Sequence, residues 1–262
     1  MTCGVHSDGC AECWGYWVTQ EGYVPPGEDF TTIALANMGY SEDDMQACAL
    51  STTGAAICWG GSNEYNPNAA PDGDYVAIAA GGVPAGYAVG SDGRFVGWGQ
   101  DDACFEGTFY RVAASDQVVA ATQVDGVVVL GTFPYSLHLL DGHWSIFAVA
   151  SHAGCGIRDD LDGVIQCVSA YDLSEVEAPA EVTENVDFLD VCVTGDDEAC
   201  ALDASGIPIC WNTASYYDDL LSPPPGPFTK ITCGTGHACG LTAEGAIECW
   251  GDDIGGETTP PS

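Results

Sequence analysis

Apolar and polar residues alternate in short runs along most of this chain, and the runs come in pairs separated by a turn that carries a glycine. The run Leu241 to Ile247, broken at Gly245, shows the pattern at its clearest. A period of two around a glycine turn predicts a β-hairpin. No segment holds the 3.6-residue period of an amphipathic helix. Further apolar runs precede most of the hairpins, for example Tyr75–Gly81, Phe147–Ala150, Phe188–Val191 and Phe228–Ile231, and these predict a third strand in each unit.

The hairpins are copies of one another. Cys3–Gly15 and Cys239–Gly251 align without a gap, and Cys48–Gly60 and Cys200–Asn212 follow the same pattern. Cys155–Val168 is a fifth copy with a longer turn. Tyr87–Gly99 and Ala120–Leu130 are two copies without cysteine. Their turn glycines, Gly9, Gly54, Gly93, Gly126, Gly163, Gly206 and Gly245, recur about every 39 residues, the length of one propeller blade with its loops. The expected fold is therefore all-β: a seven-bladed β-propeller occupying residues 1–262 as one domain. Only Met1 and Thr2 precede the first hairpin, so both termini are expected to meet in one composite blade. A six-bladed ring with a dangling hairpin is the rival arrangement.

The cysteines support this register. Residues facing each other across a hairpin have a constant sum of positions, which sets Cys239 opposite Cys249 just as it sets Leu241 opposite Ile247. Facing Cβ atoms lie close enough for a bridge. The two copies that lack one cysteine lack both, having Tyr87 with Gly97 and Ala120 with Leu130. Five bridges follow: Cys3–Cys13, Cys48–Cys58, Cys155–Cys167, Cys200–Cys210 and Cys239–Cys249. Cys192 and Cys233 sit on corresponding strands of adjacent repeats, which leaves a bridge between them open, while Cys10 and Cys104 either pair or stay free. Fourteen cysteines without zinc spacing point to an oxidising compartment, hence to a secreted or extracellular protein. Met1-Thr2-Cys3-Gly4 does not read as an export signal, so any such signal is expected to have been removed.

Charge narrows the partners. Four Lys plus Arg stand against 39 Asp plus Glu, a formal net charge of −35. Nucleic acid and anionic membranes are excluded as partners on this balance. An acidic surface of this kind suits solubility in a salty medium, and the protein is expected to be a monomer.

The string Gly-x-x-His-x-Cys-x-Leu-x-x-x-Gly-x-x-x-Cys-Trp-Gly over Gly234–Gly251 resembles the RCC1 (regulator of chromosome condensation) repeat. Its cysteine-paired form is similar to secreted bacterial members akin to the β-lactamase inhibitor protein II group. The resemblance implies a seven-bladed propeller that serves as a rigid platform for protein contacts. It implies no single activity. A nuclear nucleotide-exchange role is at odds with the cysteines and the lack of basic residues.

Catalytic signatures are absent: the chain has no G-x-S-x-G, no H-E-x-x-H and no P-loop. The repeated Trp14, Trp59, Trp98, Trp211 and Trp250 are expected to pack between blades. Tyr16, Trp17, Tyr65, Phe105, Tyr171, Tyr216 and Tyr217 fall in the loops after the hairpins and are the candidate contacts for a protein or a glycan, although some are expected to cover the loops themselves. Paired carboxylates at Asp101, Asp102, Asp252 and Asp253 are the candidate ligands for calcium, the one cofactor considered. Asp159-Asp160-Leu161-Asp162-Gly163 faintly resembles a calcium loop. The expected function is a non-enzymatic extracellular binding module, with a lectin, calcium-dependent or not, as the alternative.

Overall fold

A computed structural model describes residues 1–15, 24, 29–37, 45–60, 69–81, 85–99, 105–115, 117–132, 136–183, 187–194, 198–212 and 222–261. Alternating short strands separated by glycine turns can bury one face only by pairing and stacking, and the chain forms seven antiparallel sheets in sequence order. Sheet 1 is the hairpin β1 (Thr2–Val5) and β2 (Ala11–Trp14). Sheet 2 comprises β3 (Phe30–Asn37), β4 (Met45–Ser51) and β5 (Ala56–Gly60). Sheet 3 comprises β6 (Tyr75–Gly81), β7 (Ala85–Gly90) and β8 (Phe95–Gly99).

Sheet 4 adds a fourth strand: β9 (Phe109–Ala114), β10 (Val118–Gln123), β11 (Val128–Thr132) and β12 (Ser136–Leu140). Sheet 5 is likewise four-stranded, with β13 (Trp144–Val149), β14 (Ala153–Arg158), β15 (Val164–Ser169) and the short β16 (Glu175–Val176). Sheet 6 holds β17 (Phe188–Val193), β18 (Glu198–Asp203) and β19 (Pro208–Asn212). Sheet 7 holds β20 (Lys230–Cys233), β21 (His237–Leu241) and β22 (Ile247–Gly251). The strand expected over Phe147–Ala150 begins earlier, at Trp144, whose ring fills the place the aromatic residue takes in the other sheets.

The hairpin registers set Cys3 opposite Cys13, Cys48 opposite Cys58, Cys155 opposite Cys167, Cys200 opposite Cys210 and Cys239 opposite Cys249. All five pairs are bridged. A sixth bridge, Cys192–Cys233, joins sheets 6 and 7. Cys10 is exposed and carries a free thiol, its pKa raised chiefly by the adjacent Asp8 carboxylate. Cys104 lies outside the described residues.

At five of the seven turns one device links a sheet to the next. The turn glycine of a hairpin accepts, through its carbonyl, the amide of the aromatic residue heading the following sheet. Phe30 donates to Gly9, Tyr75 to Gly54, Phe109 to Gly93, Trp144 to Gly126 and Phe228 to Gly206, all at 2.8 or 2.9 Å. The glycines hold φ between 79° and 88° there, a region costly for a side chain. A Cβ on Gly206 would fall 2.4 Å from the Phe228 carbonyl oxygen. The heading ring then packs on the tryptophan at the far end of its own sheet, as in Phe30–Trp59 and Phe228–Trp250, both with centroids 5.9 Å apart. First strands of consecutive sheets touch one another, which sets them innermost in the ring.

The core is the series of inter-sheet layers. Ala36, Cys48 and Leu50 of sheet 2 pack on Tyr75, Ile78 and Trp98 of sheet 3, and the same relation is repeated around the ring. Where the ends meet, the Glu257 carbonyl accepts from Trp14 Nε1 (2.9 Å) and Thr2 Oγ1 (3.1 Å), and His237 Nε2 lies 3.0 Å from the same hydroxyl. The C-terminal residues thus cap one end of sheet 1 and tie it to sheet 7, which integrates the first hairpin into the ring. They do so mainly through the Glu257 main-chain carbonyl, which side chains of sheet 1 reach, and add no strand to its ladder among the described residues.

Candidate interaction surface

In sheets 2, 3, 4, 5 and 7 the aromatic residue heading the sheet is pinned to the previous turn, yet the strand behind it must pair in regular register. The two demands are reconciled by a β-bulge. In sheets 2 to 6 the register slips at the second residue of the first strand, leaving Thr31, Val76, Tyr110, Ser145 and Leu189 without a cross-strand partner. Thr229 holds the same place in sheet 7. A bulge re-aims its side chain, and here the residues turn outward onto the rim that carries the hairpin turns. Val76 is 57% exposed and Leu189 48%, large values for aliphatic side chains on strands. Val124, Leu161 and Ile207, from the turns of sheets 4, 5 and 6, add exposed apolar surface to the same rim.

Tyr110 is held in place across a sheet boundary. Its hydroxyl donates to the carbonyls of Trp144 (3.3 Å) and Ser145 (3.2 Å) in sheet 5, and burial raises its pKa. Arg111 lies 6.0 Å from its ring centroid. One residue further along sheet 6, Asp190 accepts from the amides of Val191 (3.0 Å) and Ile231 (3.2 Å). Burial pushes the Asp190 carboxyl up, against the pull of those hydrogen bonds and of Arg111 and Lys230.

All four basic residues of the chain belong to this rim: Arg94 in a hairpin turn, Arg111 and Lys230 near the heads of first strands, and Arg158 at the end of β14. Arg158 grips both oxygens of Asp160 (2.8 and 2.7 Å) and lies over Trp144, 4.7 Å from its centroid. The same turns also carry Asp92, Asp125, Asp159, Asp160, Asp162 and Asp203, so the exposed apolar residues of this rim stand among carboxylates with all four cations of the chain beside them.

The residues singled out from the sequence fare differently. Tyr16, Trp17, Tyr65, Tyr216, Tyr217, Asp101 and Asp102 lie outside the described residues. Phe105 is half-buried, stacked on Phe95 at 4.3 Å and set against Phe109 at 6.2 Å, so its ring is a packing element between sheets 3 and 4. Tyr171 is 55% exposed on the opposite rim beside His152, with centroids 5.8 Å apart. Asp252 gives its amide to the Gly236 carbonyl. Asp253 accepts the Thr258 amide at 3.0 Å, which lowers its pKa. The faint calcium loop is otherwise engaged: Asp160 serves Arg158, and Asp159 lies 3.2 Å from His143. Among the described residues no group of three or more His, Cys, Asp or Glu is arranged to hold a metal ion.

The bulge positions escape sequence reasoning because Thr, Val, Tyr, Ser, Leu and Thr share no chemistry. The usable signal is positional: each directly follows a conspicuous aromatic residue about 20 residues after a turn glycine.

These features define a disulfide-stapled β-propeller of seven sheets built from RCC1-like repeats. Residues 228–254 match the family model described as Regulator of chromosome condensation (RCC1) repeat, so the resemblance read from Gly234–Gly251 holds for that segment. Among solved structures, the chain is similar to the CRINKLY WD40 ectodomain of the Arabidopsis thaliana receptor kinase ACR4. There the TM-score is 0.76 at 18% identity, covering 97% of this chain and 91% of that one. Saccharomyces cerevisiae Prp20p, described with binding properties to Gsp1p and histones, aligns with TM-score 0.63 at 11% identity, covering 88% and 76%. Human WBSCR16 aligns with TM-score 0.55 at 12% identity, covering 72% and 68%. No curated protein matches the chain by sequence.

Proposed function

We propose that residues 1–262 act as one non-enzymatic, extracellular protein-binding domain whose contact surface is the rim of hairpin turns over sheets 3 to 6. The observation that carries this reading is the repeated bulge, which sets Val76, Tyr110 and Leu189 outward from a rigid ring. Exposed apolar and aromatic side chains on an immobile support are the usual anchors of a protein interface. Six bridges in the described residues support an oxidising, extracellular setting. Propellers of this architecture include the receptor ectodomain and Prp20p noted above, which supports a binding role. A combined Val76→Ser, Tyr110→Ala, Leu189→Ser protein, immobilised beside the parent, should retain its principal partner at about one-tenth the level or less, as expected for loss of several anchors. Equal retention by both would refute the rim assignment.

A glycan-binding reading rests on Tyr171, whose exposed ring beside His152 offers a stacking face on the other rim. Binding on a glycan array that Tyr171→Ala abolishes would establish it in place of the first.

A further inference from the structure

The layer between sheets 6 and 7 gathers four cysteines, twice the number in any other layer between sheets among the described residues. Cys200 and Cys210 form the hairpin bridge that the repeat provides. Cys192 is an addition to the repeat. It stands on the first strand opposite the position that opens the hairpin bridge. Sheets 2 to 5 have Ala34, Ala79, Ala113 and Ala148 at that place, and sheet 7 has Thr232. Cys233 enters the same layer from sheet 7 and is bridged to Cys192.

The ladder sets Cys192 beside the hairpin bridge. Cys192 faces Cys200, and Cys200 faces Cys210, so the three side chains form one row across sheet 6, on the side turned to sheet 7. Cys200 and Cys210 are a close pair, 4.1 Å between Cα atoms, of the kind that exchanges no hydrogen bonds. Pairs alternate along β18, and the Thr194 amide donates to the Glu198 carbonyl two residues away, which makes Cys192 and Cys200 a pair of the wide kind. Cα atoms in such a pair lie about 5.5 Å apart. A disulfide spans roughly 4.4–6.8 Å between Cα atoms, so Cys192 and Cys200 stand at bridging distance without being bridged.

Each of the two bridges has one sheltered and one accessible end. Cys192 and Cys200 are buried, whereas Cys233 and Cys210 are partly exposed. The sheltered ends are the neighbours.

We propose that these two bridges form a thiol relay: an external dithiol converts them into a single internal bridge, Cys192–Cys200, and leaves thiols at Cys210 and Cys233. The reaction has two entries and one product. A thiolate of the reductant attacks the accessible Cys233 sulfur, the Cys192–Cys233 bond breaks, and Cys192 leaves as a thiolate. That thiolate attacks Cys200, the Cys200–Cys210 bond breaks, and Cys210 leaves and takes up a proton. The second thiol of the reductant then attacks its own sulfur on Cys233, closes into a disulfide and releases Cys233 as a thiol. Entry at Cys210 follows the same course in reverse: Cys200 is freed, attacks Cys192 and expels Cys233. By either route two electrons and two protons pass from the dithiol to the protein. The bridges of sheets 2 and 5 have alanine where Cys192 stands, so no such neighbour is available to them. Conversion opens the one bridge between sheets among the described residues while β17 stays tied to β18. The seam between sheets 6 and 7 therefore loosens without sheet 6 coming apart.

The free thiols of the oxidised protein are first blocked with N-ethylmaleimide, and dithiothreitol is added in limiting amount. New thiols are trapped with heavy-isotope N-ethylmaleimide in mildly acidic denaturant, where buried sulfurs are reachable and exchange is slowed, before peptic digestion and mass mapping. Molecules that gain two labels in this layer should carry them on Cys210 and Cys233 and contain a Cys192–Cys200 link, with about tenfold less label on Cys192 and Cys200. Labels on Cys192 and Cys233 with Cys200–Cys210 intact overturn the relay, as do labels on Cys200 and Cys210 with Cys192–Cys233 intact. Appearance of all four labels together, with no two-label species, overturns it as well. Cys233→Ser tests the transfer step without reductant. The odd sulfur of the layer should then be labelled at Cys210, and label confined to Cys192 would show that the two sheltered sulfurs do not exchange.

Discussion

Sheets 3 and 4 carry no cystine, whereas sheets 1, 2, 5, 6 and 7 each have one across the hairpin, and the difference shows what the bridge contributes. In sheet 6 Cys200 is fully buried against Phe228 and Trp250 of sheet 7, and in sheet 5 Cys155 and Cys167 lie in the layer shared with sheet 6. At the same place in sheet 4, Ala120 faces Leu130 in a layer with Trp144 and Phe147. In sheet 3, Tyr87 stands over Gly97 and packs with Phe95, Phe109 and the half-buried Phe105. The site is first of all an interior position turned toward a neighbouring sheet. Sulfur fills it in five sheets and hydrocarbon in two, so the cystine is an added constraint on a hairpin already fixed by its turn and its packing.

Reduction should produce the largest departure between the two classes. Opening a ten-residue loop forfeits about 3 kcal/mol and opening the Cys192–Cys233 loop about 4 kcal/mol in the loop-entropy description. Under full reduction, amide exchange should rise first in sheets 1, 6 and 7, while sheets 3 and 4 keep their protection longest. Uniform loss of protection would mean that the ring unfolds as one unit.

Next in size is a substitution to which the two classes should respond alike. Gly126→Ala in sheet 4 and Gly206→Ala in sheet 6 each force a Cβ into the next sheet at positive φ. Each should lose roughly 2–4 kcal/mol in denaturant unfolding, more than Gly245→Ala, which bears the backbone cost alone, about 1 kcal/mol. A markedly smaller loss at Gly206 would show that the bridge of sheet 6 compensates for its turn.

Grafting is subtler. Ala120→Cys with Leu130→Cys should form a bridge, but removing buried Leu130 costs about as much as the bridge returns, leaving stability within about 1 kcal/mol of the parent. A gain well beyond that would make sulfur intrinsically superior at this site.

The smallest effect is a pH dependence at the closure of the ring. Burial lowers the pKa of His237 below that of the free imidazole, so the unfolded chain takes up its proton first as pH falls below about 6.5. The folded state should lose stability over that interval, and His237→Gln should flatten this part of the profile. An unchanged profile would mean that His237 plays no part in it.

Much of the architecture is legible in the sequence because its determinants are local. Period-two alternation, the turn glycines and the paired cysteines give seven hairpins and their registers. The bulges are illegible because they arise from a conflict between two distant constraints, the bond to the preceding turn and the ladder to the following strand. The partners of Asp159 and Asp160 are hidden in the sequence as well, because His143 and Arg158 are recognisable beside them only once the hairpin has folded. The role of Phe105 is hidden for a similar reason: a ring in a loop gives no sign of whether it turns outward or back onto Phe95.

The scarcity of basic residues and the arrangement of the bridges together have a consequence for proteolysis. A protease specific for Arg and Lys finds four bonds in the chain, after Arg94, Arg111, Arg158 and Lys230. Even if all four were cut, residues 112–262 would remain a single covalent body, because Cys155–Cys167 spans the cut after Arg158 and Cys192–Cys233 spans the cut after Lys230. A nick in this half of the molecule therefore breaks the chain without releasing a piece of it.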